Sequence, residues 1–213
     1  MRGKKVPANP IPEQKYQRFK YKLEELSIEY PERNLMLFYL GVATGYRIQD
    51  IIDLTIGEIK EALEDEEFII QEKKQYRQYL KIIANNPMSK KKPPEKRNHP
   101  IKPKLKKLLK EYIKGKDKSD YAFASKKNNK ENEHIEEKSF SNILSKVGKA
   151  LDLKNISGHS LRKTYVHRLW QEKHDLEYIR KAIGHKNIET TKKYLGIDDG
   201  IKDDAAEITD DKL

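Results

Sequence analysis

The segment that most constrains the fold is NLMLFYLGVATG, residues 34–45, which is apolar on nearly every side. A helix with one apolar stripe can lie on a surface, whereas a helix that is apolar all round has to be covered by other elements. The segment therefore predicts a helix buried in the core and ended at Gly45. The polar segment RIQDIIDL follows, so Arg47 is expected to be rigidly mounted just after this helix.

Amphipathic periodicity predicts further helices on both sides of the buried one. They are expected near residues 13–30, 103–113, 140–151, 157–170 and 176–183. The first should end at Tyr30-Pro31, because the residue before a proline is pushed out of the helical region. The helix near 157–170 has Ser157 or Ser160 as its N-cap, and the last ends at Gly184.

Two segments have a different character. Residues 67–83 have the β-branched and aromatic content of two short strands around a polar turn near Lys73, Lys74 and Gln75. The basic, proline-rich segment NNPMSKKKPPEKRNHP that follows, and a polar loop near residues 126–137, cannot pack a core. The expected fold class is therefore α+β, mainly α-helical with a small antiparallel β-sheet.

The charge of the chain favours a polyanionic partner. The formal net charge is +11 and the pI about 9.4, although the last sixteen residues hold seven acids against two lysines. The remainder is thus more basic than the average, and DNA or RNA is the expected ligand. The alternative is a basicity that serves only solubility.

Several classes of chemistry are excluded or unsupported. The chain has no cysteine, which rules out disulfides, thiol nucleophiles and cysteine zinc sites, and its six histidines include no HxxxH pair. No apolar run reaches the length of a membrane span, and the first residues are charged and interrupted by proline where a signal peptide is apolar. We therefore expect a cytoplasmic protein with no metal, no cofactor and no membrane partner.

A pattern of histidine, arginine and tyrosine stands in the second half of the chain. His159 and Arg162 are three residues apart and so share one side of a helix. Histidine can exchange a proton near neutral pH and arginine can bind phosphate with two parallel hydrogen bonds, so the pair could hold and protonate a phosphate. The alternative is a polar helix start that faces water. His185 follows Gly184, and Tyr194 comes nine residues later.

Three stretches resemble the boxes of the tyrosine recombinases, also called the phage integrase family of site-specific DNA recombinases. TGYRIQDIIDL resembles the first arginine box, GHSLRKTYVHRL the HxxR box, and IGHKNIETTKKYLGI the glycine-histidine box with its tyrosine. The resemblance covers about residues 13–200 and implies the tyrosine recombinase catalytic-domain fold. The catalytic domain is accordingly expected over 13–200. The residues outside it are expected to form a flexible N-terminal arm over 1–12 and an acidic C-terminal tail over 201–213.

The resemblance also implies roles for individual residues. Arg47 and Arg162 would bind the scissile phosphate, and Tyr194 would attack it. His159 and His185 would assist proton movements and hydrogen bonding in the transition state.

A lysine in the expected hairpin would protonate the leaving 5′-hydroxyl. Lys74 fits this role best by its place in the turn, Lys73 is adjacent, and the triple lysine at 90–92 lies in an expanded loop that the family does not require. Asp50 matches an acidic position of the family that supports the site.

Other basic residues are expected to contact DNA phosphates, which position a protein without specifying sequence. These are Lys73, Lys90, Lys91, Lys92, Arg97 and Lys163. For the loop over 90–97, the alternative is a solvated segment without contacts.

The implied function is that of a site-specific recombinase, an enzyme that breaks and rejoins double-stranded DNA, for example in a mobile element, through a 3′-phosphotyrosine intermediate. Self-assembly on DNA, from dimer to tetramer, is expected, with a monomer when free. Only about thirty residues precede the first box helix, so the chain is expected to be a natural catalytic-domain recombinase or a fragment. The alternatives are a non-catalytic DNA-binding accessory protein of the same fold and a tyrosine-type topoisomerase.

Overall fold

The structure, a computed structural model, describes residues 6–125, 133–196 and Asp210. Its helices are α1 (Glu13–Leu26), α2 (Pro31–Thr44), α3 (Ile48–Ile51), α4 (Ile56–Glu64), α5 (Lys73–Asn85), α6 (Pro103–Tyr112), α7 (Glu137–Ala150), α8 (Gly158–Lys173), α9 (Leu176–Ala182) and α10 (Ile188–Leu195). Its strands are β1 (Glu67–Ile70), β2 (Arg97–Pro100), β3 (Ala124–Ser125) and β4 (Glu133–His134). The predicted class, mainly α-helical with small antiparallel sheets, is confirmed.

Helix α2 is the buried helix that its composition predicts. It packs against α1, α6 and α8, and its side chains Leu37, Phe38 and Leu40 are fully buried. A Cβ on Gly41 would lie 2.8 Å from Cδ1 of Leu161, so the backbone of α2 approaches α8 closely at this point. The helix ends at Gly45 in the left-handed conformation (φ 61°), as predicted.

Helix α8 joins two apolar clusters. Leu161, in its first turns, belongs to the main core around α2. Val166, further along, packs with Ile179 of α9 and Leu195 of α10 in a smaller cluster. Because α8 is anchored in both clusters, it fixes α9 and α10 relative to the end of α2.

The start of α8 is held by a reciprocal pair of serines, which confirms Ser157 as the N-cap. The Ser157 side chain accepts from the third residue of the helix, and the Ser157 N–H donates to Oγ of Ser160 at 3.0 Å. His159 and Arg162 therefore project from a helix end of defined geometry.

The predicted pair of strands over 67–83 is wrong in its second half. Only β1 forms there, and its antiparallel partner is β2, with Ile70 opposite Arg97. Residues 73–85 form α5, whose residues are all at least partly exposed to solvent. The tyrosines and isoleucines suggested a strand by type, but Tyr76, Leu80 and Ile83 recur at helical spacing, and this period decides the structure.

The first predicted helix starts at Glu13 as expected, but its other end differs from the prediction, and the segment before it contacts the rest of the fold. Helix α1 ends at Leu26 rather than Tyr30, and Ser27 is buried with its Oγ accepting from Asn34 at 3.0 Å. Within the arm expected over 1–12, Ile11 is 3% exposed and its N–H donates to Oγ1 of Thr164 at 2.9 Å. The last residues of the arm are thus packed on the body.

Parts of the sequence lie outside the described residues. These are residues 1–5, most of the polar loop (126–132) and, apart from Asp210, residues 197–213, which include the acidic tail. Among the helices of the described ranges, none combines the length and the apolar character needed to cross a membrane.

Replacing Gly45 by alanine should destabilise the protein more than the same change at Gly115. Both glycines have positive φ, but a Cβ at Gly45 would lie 2.3 Å from the Tyr165 ring, whereas nothing lies within 4 Å at Gly115. We expect the free energy of unfolding, measured in urea, to fall by about 1 kcal/mol in Gly115→Ala and by about 2 kcal/mol or more in Gly45→Ala. Equal losses would show that the Gly45–Tyr165 contact does not constrain the fold.

Candidate active site

The guanidinium of Arg162 lies inside the protein, 1% exposed, rather than facing water at the helix start. Its Nη1 donates to the carbonyl of Gly45 at 2.9 Å and its Nη2 to the carbonyl of Ile183. The arginine therefore connects the end of α2 with the end of α9. Burial, and then the neighbouring charge of Arg47, lowers the pKa of Arg162 to about 10, which leaves it protonated at neutral pH.

Arg47 lies directly after the α2 turn and faces the same point. Its Nη1 is 2.6 Å from Oε1 of Glu72, and that same oxygen is 3.2 Å from Nη1 of Arg162. Burial opposes ionisation of Glu72, but the two arginines outweigh it and hold its pKa below the ordinary value. Two arginines thus converge on one oxygen, a geometry suited to binding an anion.

Asp50 contacts both Arg47 and the start of α5. It is 3% exposed, its Oδ1 accepts from the backbone N–H of Lys73 at 2.9 Å, and its Oδ2 is 3.9 Å from Nη1 of Arg47. Burial raises the pKa of Asp50, against the hydrogen bond from Lys73 and the charge of Arg47. The residue therefore fixes the start of α5 beside the arginines.

The two histidines differ in environment. His159 is exposed on α8, and partial burial together with the charges of Arg47 and Arg162 lowers its pKa. His185 is 8% exposed, and its Nδ1 lies 3.1 Å from Oγ1 of Thr191. Burial and the same two arginines lower the pKa of His185 to about 4, so it is neutral at pH 7.

Tyr194 on α10 completes the cluster. Its ring meets the His185 ring edge-on at 5.5 Å between centroids, and Nζ of Lys163 lies 5.4 Å from the Tyr194 ring. Within the described residues its buried hydroxyl has no hydrogen-bond partner. Burial raises the pKa of Tyr194, and the charges of Arg162 and Arg47 act in the opposite direction. The hydroxyl therefore lies in the electric field of both arginines.

The two adjacent lysines have different surroundings. Nζ of Lys73 is 2.5 Å from Oδ1 of Asp53. Lys74 is exposed, and its charge acts on His159; among the described residues it has no carboxylate at ion-pair distance. The lysine is therefore close to the site, but in the first turn of α5 rather than in the predicted β-turn.

Arg97 is not part of the loop with which it was grouped. It begins β2, and its guanidinium lies 4.1 Å from the Tyr46 ring centroid and donates to the carbonyls of Thr44 and Gly45. Lys90, Lys91 and Lys92 are exposed in the loop before it.

Glu72 is the site residue that sequence reasoning missed. A signal was present in the alternation of β1, because Phe68 and Ile70 are buried and Glu72 continues the same face two residues on. The carboxylate is 2% exposed at the end of that row.

A basic cavity of about 480 Å³ opens beside His185. Its walls are α5, the loop before β2 and the α9–α10 turn, and its basic residues include Lys91, Lys92, Lys96, Arg180, Lys181 and Lys186. A single anionic strand could lie along it. No group of His, Asp and Glu in the described ranges is arranged to hold a metal ion.

Comparisons with known proteins show the family to which the chain belongs. The phage integrase family model matches residues 11–200. The probable integrase/recombinase YoeC of Bacillus subtilis (strain 168) is 26% identical over 168 residues, which are 79% of this chain and 80% of that protein.

Solved structures share the fold at low identity. The XerH site-specific recombinase bound to difH substrate is 21% identical with a TM-score of 0.61, over 89% of this chain and 50% of that one. The Tn1549 transposon integrase in complex with a circular intermediate DNA is 14% identical with a TM-score of 0.64, over 91% and 63%. The chain thus spans about half the length of the XerH chain that it matches.

The stability of the protein should decrease as the pH falls from about 6.5 to about 4. In the unfolded chain a histidine takes up its proton near pH 6.5, whereas burial lowers the pKa of folded His185 to about 4. Unfolding therefore binds a proton in this window, and low pH favours it. In urea titrations at pH 7, 6 and 5, the free energy of unfolding of His185→Asn should fall less with decreasing pH than that of the wild type. Burial also lowers the pKa of His99 to about 4, so His99 should cause part of the pH dependence that remains in the variant. The same pH dependence in His185→Asn and in the wild type would contradict a lowered pKa of His185.

Proposed function

Because the chain belongs to the phage integrase family, we propose that it is a site-specific DNA recombinase that cleaves and rejoins DNA strands through a 3′-phosphotyrosine intermediate. The observation that carries this proposal is the convergence of Arg47 and Arg162 on one oxygen, with the Tyr194 hydroxyl in the field of both. The likeness to an integrase/recombinase of Bacillus subtilis supports it.

In this mechanism the two arginines bind the non-bridging oxygens of the scissile phosphate. Their charges offset that of the phosphodiester and stabilise the charge that develops in the transition state. Loss of one such donor typically lowers the rate by about 10²–10³. Arg162 is held by two backbone carbonyls, so it meets the phosphate without reorganising.

Tyr194 supplies the nucleophile. Its oxygen bonds to phosphorus as the bond from phosphorus to the 5′ oxygen breaks, so the 3′ end of the strand becomes attached to the tyrosine. Its proton has to leave, and His159, whose pKa is lowered, is a neutral acceptor at pH 7. If Nδ1 of His185 accepts from the Thr191 hydroxyl, its Nε2–H remains to donate to a phosphate oxygen.

Lys74 is the proposed general acid that gives a proton to the leaving 5′ oxygen. It is preferred to Lys73, whose ammonium is paired with Asp53. Rejoining is the reverse of cleavage, with a 5′-hydroxyl attacking the phosphotyrosine. Since the phosphodiester energy is kept in that linkage, strand exchange needs no separate energy source.

The basic residues beside the site are the proposed phosphate contacts. Lys90, Lys91 and Lys92 project from the loop, and α5 adds Arg77 and Lys81, which are also exposed. No acidic residue interrupts α5 between 73 and 85. Lys91 and Lys92 also line the basic cavity at His185. For Lys73 and Arg97, contacts with DNA would require these side chains to leave their present partners, whereas Lys163 lies at the proposed nucleophile.

The proposal includes assembly. Each site cleaves one strand, so exchange between two duplexes requires four sites, and we expect a monomer that forms dimers and tetramers on double-stranded DNA. The catalytic unit would comprise residues 13–200, flanked by the arm over 1–12 and the tail over 201–213. Such an enzyme would act in the cytoplasm.

The function is tested with nicked duplexes drawn from the DNA that flanks the coding region. Wild-type protein should form a complex that survives denaturant. After cleavage the short strand between the cleavage site and the nick, which carries the new 5′-hydroxyl, dissociates, so the phosphotyrosine cannot be rejoined. Tyr194→Phe should bind the same duplexes without forming it. Binding without any covalent complex in the wild type would favour a non-catalytic DNA-binding protein.

The lysine assignment can be tested with DNA that carries sulfur in place of the bridging 5′ oxygen. A thiolate leaves without protonation, because a thiol has a pKa of about 8.5. Lys74→Ala should slow cleavage of ordinary DNA by about 10²–10⁴. With the sulfur substrate, its cleavage rate should return to about that of the wild type. Lys73→Ala is the matched control, and selective recovery of that variant instead would assign the role to Lys73.

The basic loop predicts a change in salt dependence. Replacing Lys90, Lys91 and Lys92 by alanine should reduce the slope of log affinity against log salt by about 0.9 for each DNA phosphate that these lysines neutralise in the wild type. An alanine triple at exposed positions 104, 107 and 110 of α6, which packs against α2 and α4, removes the same charge and should keep the wild-type slope. Equal slopes in the two triple variants would exclude the loop from the DNA interface.

A further inference from the structure

The Glu72 carboxylate lies between Arg47 and Arg162, at the place where the proposed mechanism puts the scissile phosphate. Its Oε1 lies 2.6 Å from Nη1 of Arg47, 3.2 Å from Nη1 of Arg162 and 3.9 Å from Nη1 of Arg97. Its side chain is 3% exposed. The proposed reaction gives no chemical step to this carboxylate.

The carboxylate and a phosphate cannot both occupy this point. A non-bridging phosphate oxygen held by Arg47 and Arg162 would take the place that Oε1 of Glu72 now has. Two anions a few ångströms apart repel each other strongly where water is excluded, and Tyr194 beside them has to lose its proton. The arginines therefore have to exchange one anion for the other.

We propose that Glu72 stands in for the scissile phosphate in the DNA-free protein: it holds Arg47 and Arg162 in the geometry that binds a phosphodiester, and the phosphate displaces it. Without an anion, the like charges of these guanidiniums would repel each other. Glu72 is thus a positioning residue that keeps the site assembled before DNA arrives.

The position of Glu72 in the chain allows its carboxylate to move away from the arginines. Glu72 is the residue before α5, a helix in which no side chain is buried. A shift of the first turn of α5 therefore breaks the hydrogen bond from the Lys73 N–H to Asp50 but removes no apolar side chain from the core. The Glu72 carboxylate is otherwise bonded to Gln75, which lies in that first turn and lines the basic cavity.

The same shift would move Lys74. This lysine follows Glu72 by two residues, and its ammonium is exposed rather than seated in the cluster. Entry of the phosphate would therefore displace the carboxylate and reposition the general acid in one movement. Only an anion that reaches both arginines can displace the carboxylate. Lys74 would therefore move only when a DNA phosphate is correctly placed between the arginines.

The inference rests on the proposed DNA cleavage, but inorganic phosphate tests it without DNA. Glu72→Gln keeps the shape of the side chain and removes its charge, so it should bind phosphate with a dissociation constant about tenfold or more below that of the wild type. Glu64→Gln removes one exposed charge at the end of α4, outside the basic cavity, and should stay within about twofold of the wild type. Calorimetric titration at low salt measures all three.

A second change locates the bound phosphate. Adding Arg47→Gln to Glu72→Gln should abolish the gain, because the phosphate then lacks one of its two arginines. Equal or weaker binding by Glu72→Gln, or a gain that survives loss of Arg47, would overturn the proposal.

Circular dichroism shows whether Glu72→Gln is folded. If it is not, Glu72→Asp, which withdraws the carboxylate by one methylene, should bind phosphate more tightly than the wild type, and unchanged binding would overturn the proposal. If the proposed recombinase function fails instead, no covalent DNA complex forms whatever the phosphate affinities are.

Discussion

The structure depends on how the buried guanidinium of Arg162 is satisfied. A charge removed from water costs several kcal/mol unless it is paired and hydrogen-bonded. Here the carbonyls of Gly45 and Ile183 and the carboxylate of Glu72 bind Nη1 and Nη2, whereas Nε has no hydrogen-bond partner among the described residues. These partners come from the end of α2, the end of α9 and the segment after β1. One side chain therefore brings together the main core, the smaller cluster and the segment between β1 and β2, and the site forms where they meet.

Local sequence signals predicted the frame of this site. The all-apolar segment predicted α2, and Gly45 its end, because only a residue tolerant of positive φ fits there. Two serines, Ser157 and Ser160, were the candidate N-caps of α8, and the helix begins after Ser157. The shared side of His159 and Arg162 followed from their spacing on this helix. The order of the boxes indicated the family, which the match over residues 11–200 shows. The chemical roles of these residues remain predictions.

The parts that were not predicted depend on contacts distant in sequence. β1 pairs with β2 across the long segment that contains α5, and residue types in α5 favoured a strand while their spacing favoured a helix. Arg97 resembled its basic neighbours, but the Tyr46 ring and the α2 carbonyls bind its side chain. Glu72 had no motif to mark it. Its burial follows from the pairing of β1 and from two arginines elsewhere in the chain, which no local pattern encodes.

The most direct test of this account is a crystal structure of the Tyr194→Phe variant bound to a duplex that the wild type cleaves. The scissile phosphate is expected between Arg47 and Arg162, with its non-bridging oxygens bonded to both guanidiniums. The aromatic ring at position 194 is expected in line with the bond to the 5′ oxygen. A scissile phosphate bound elsewhere, with Arg47 and Arg162 both free of it, would contradict the account.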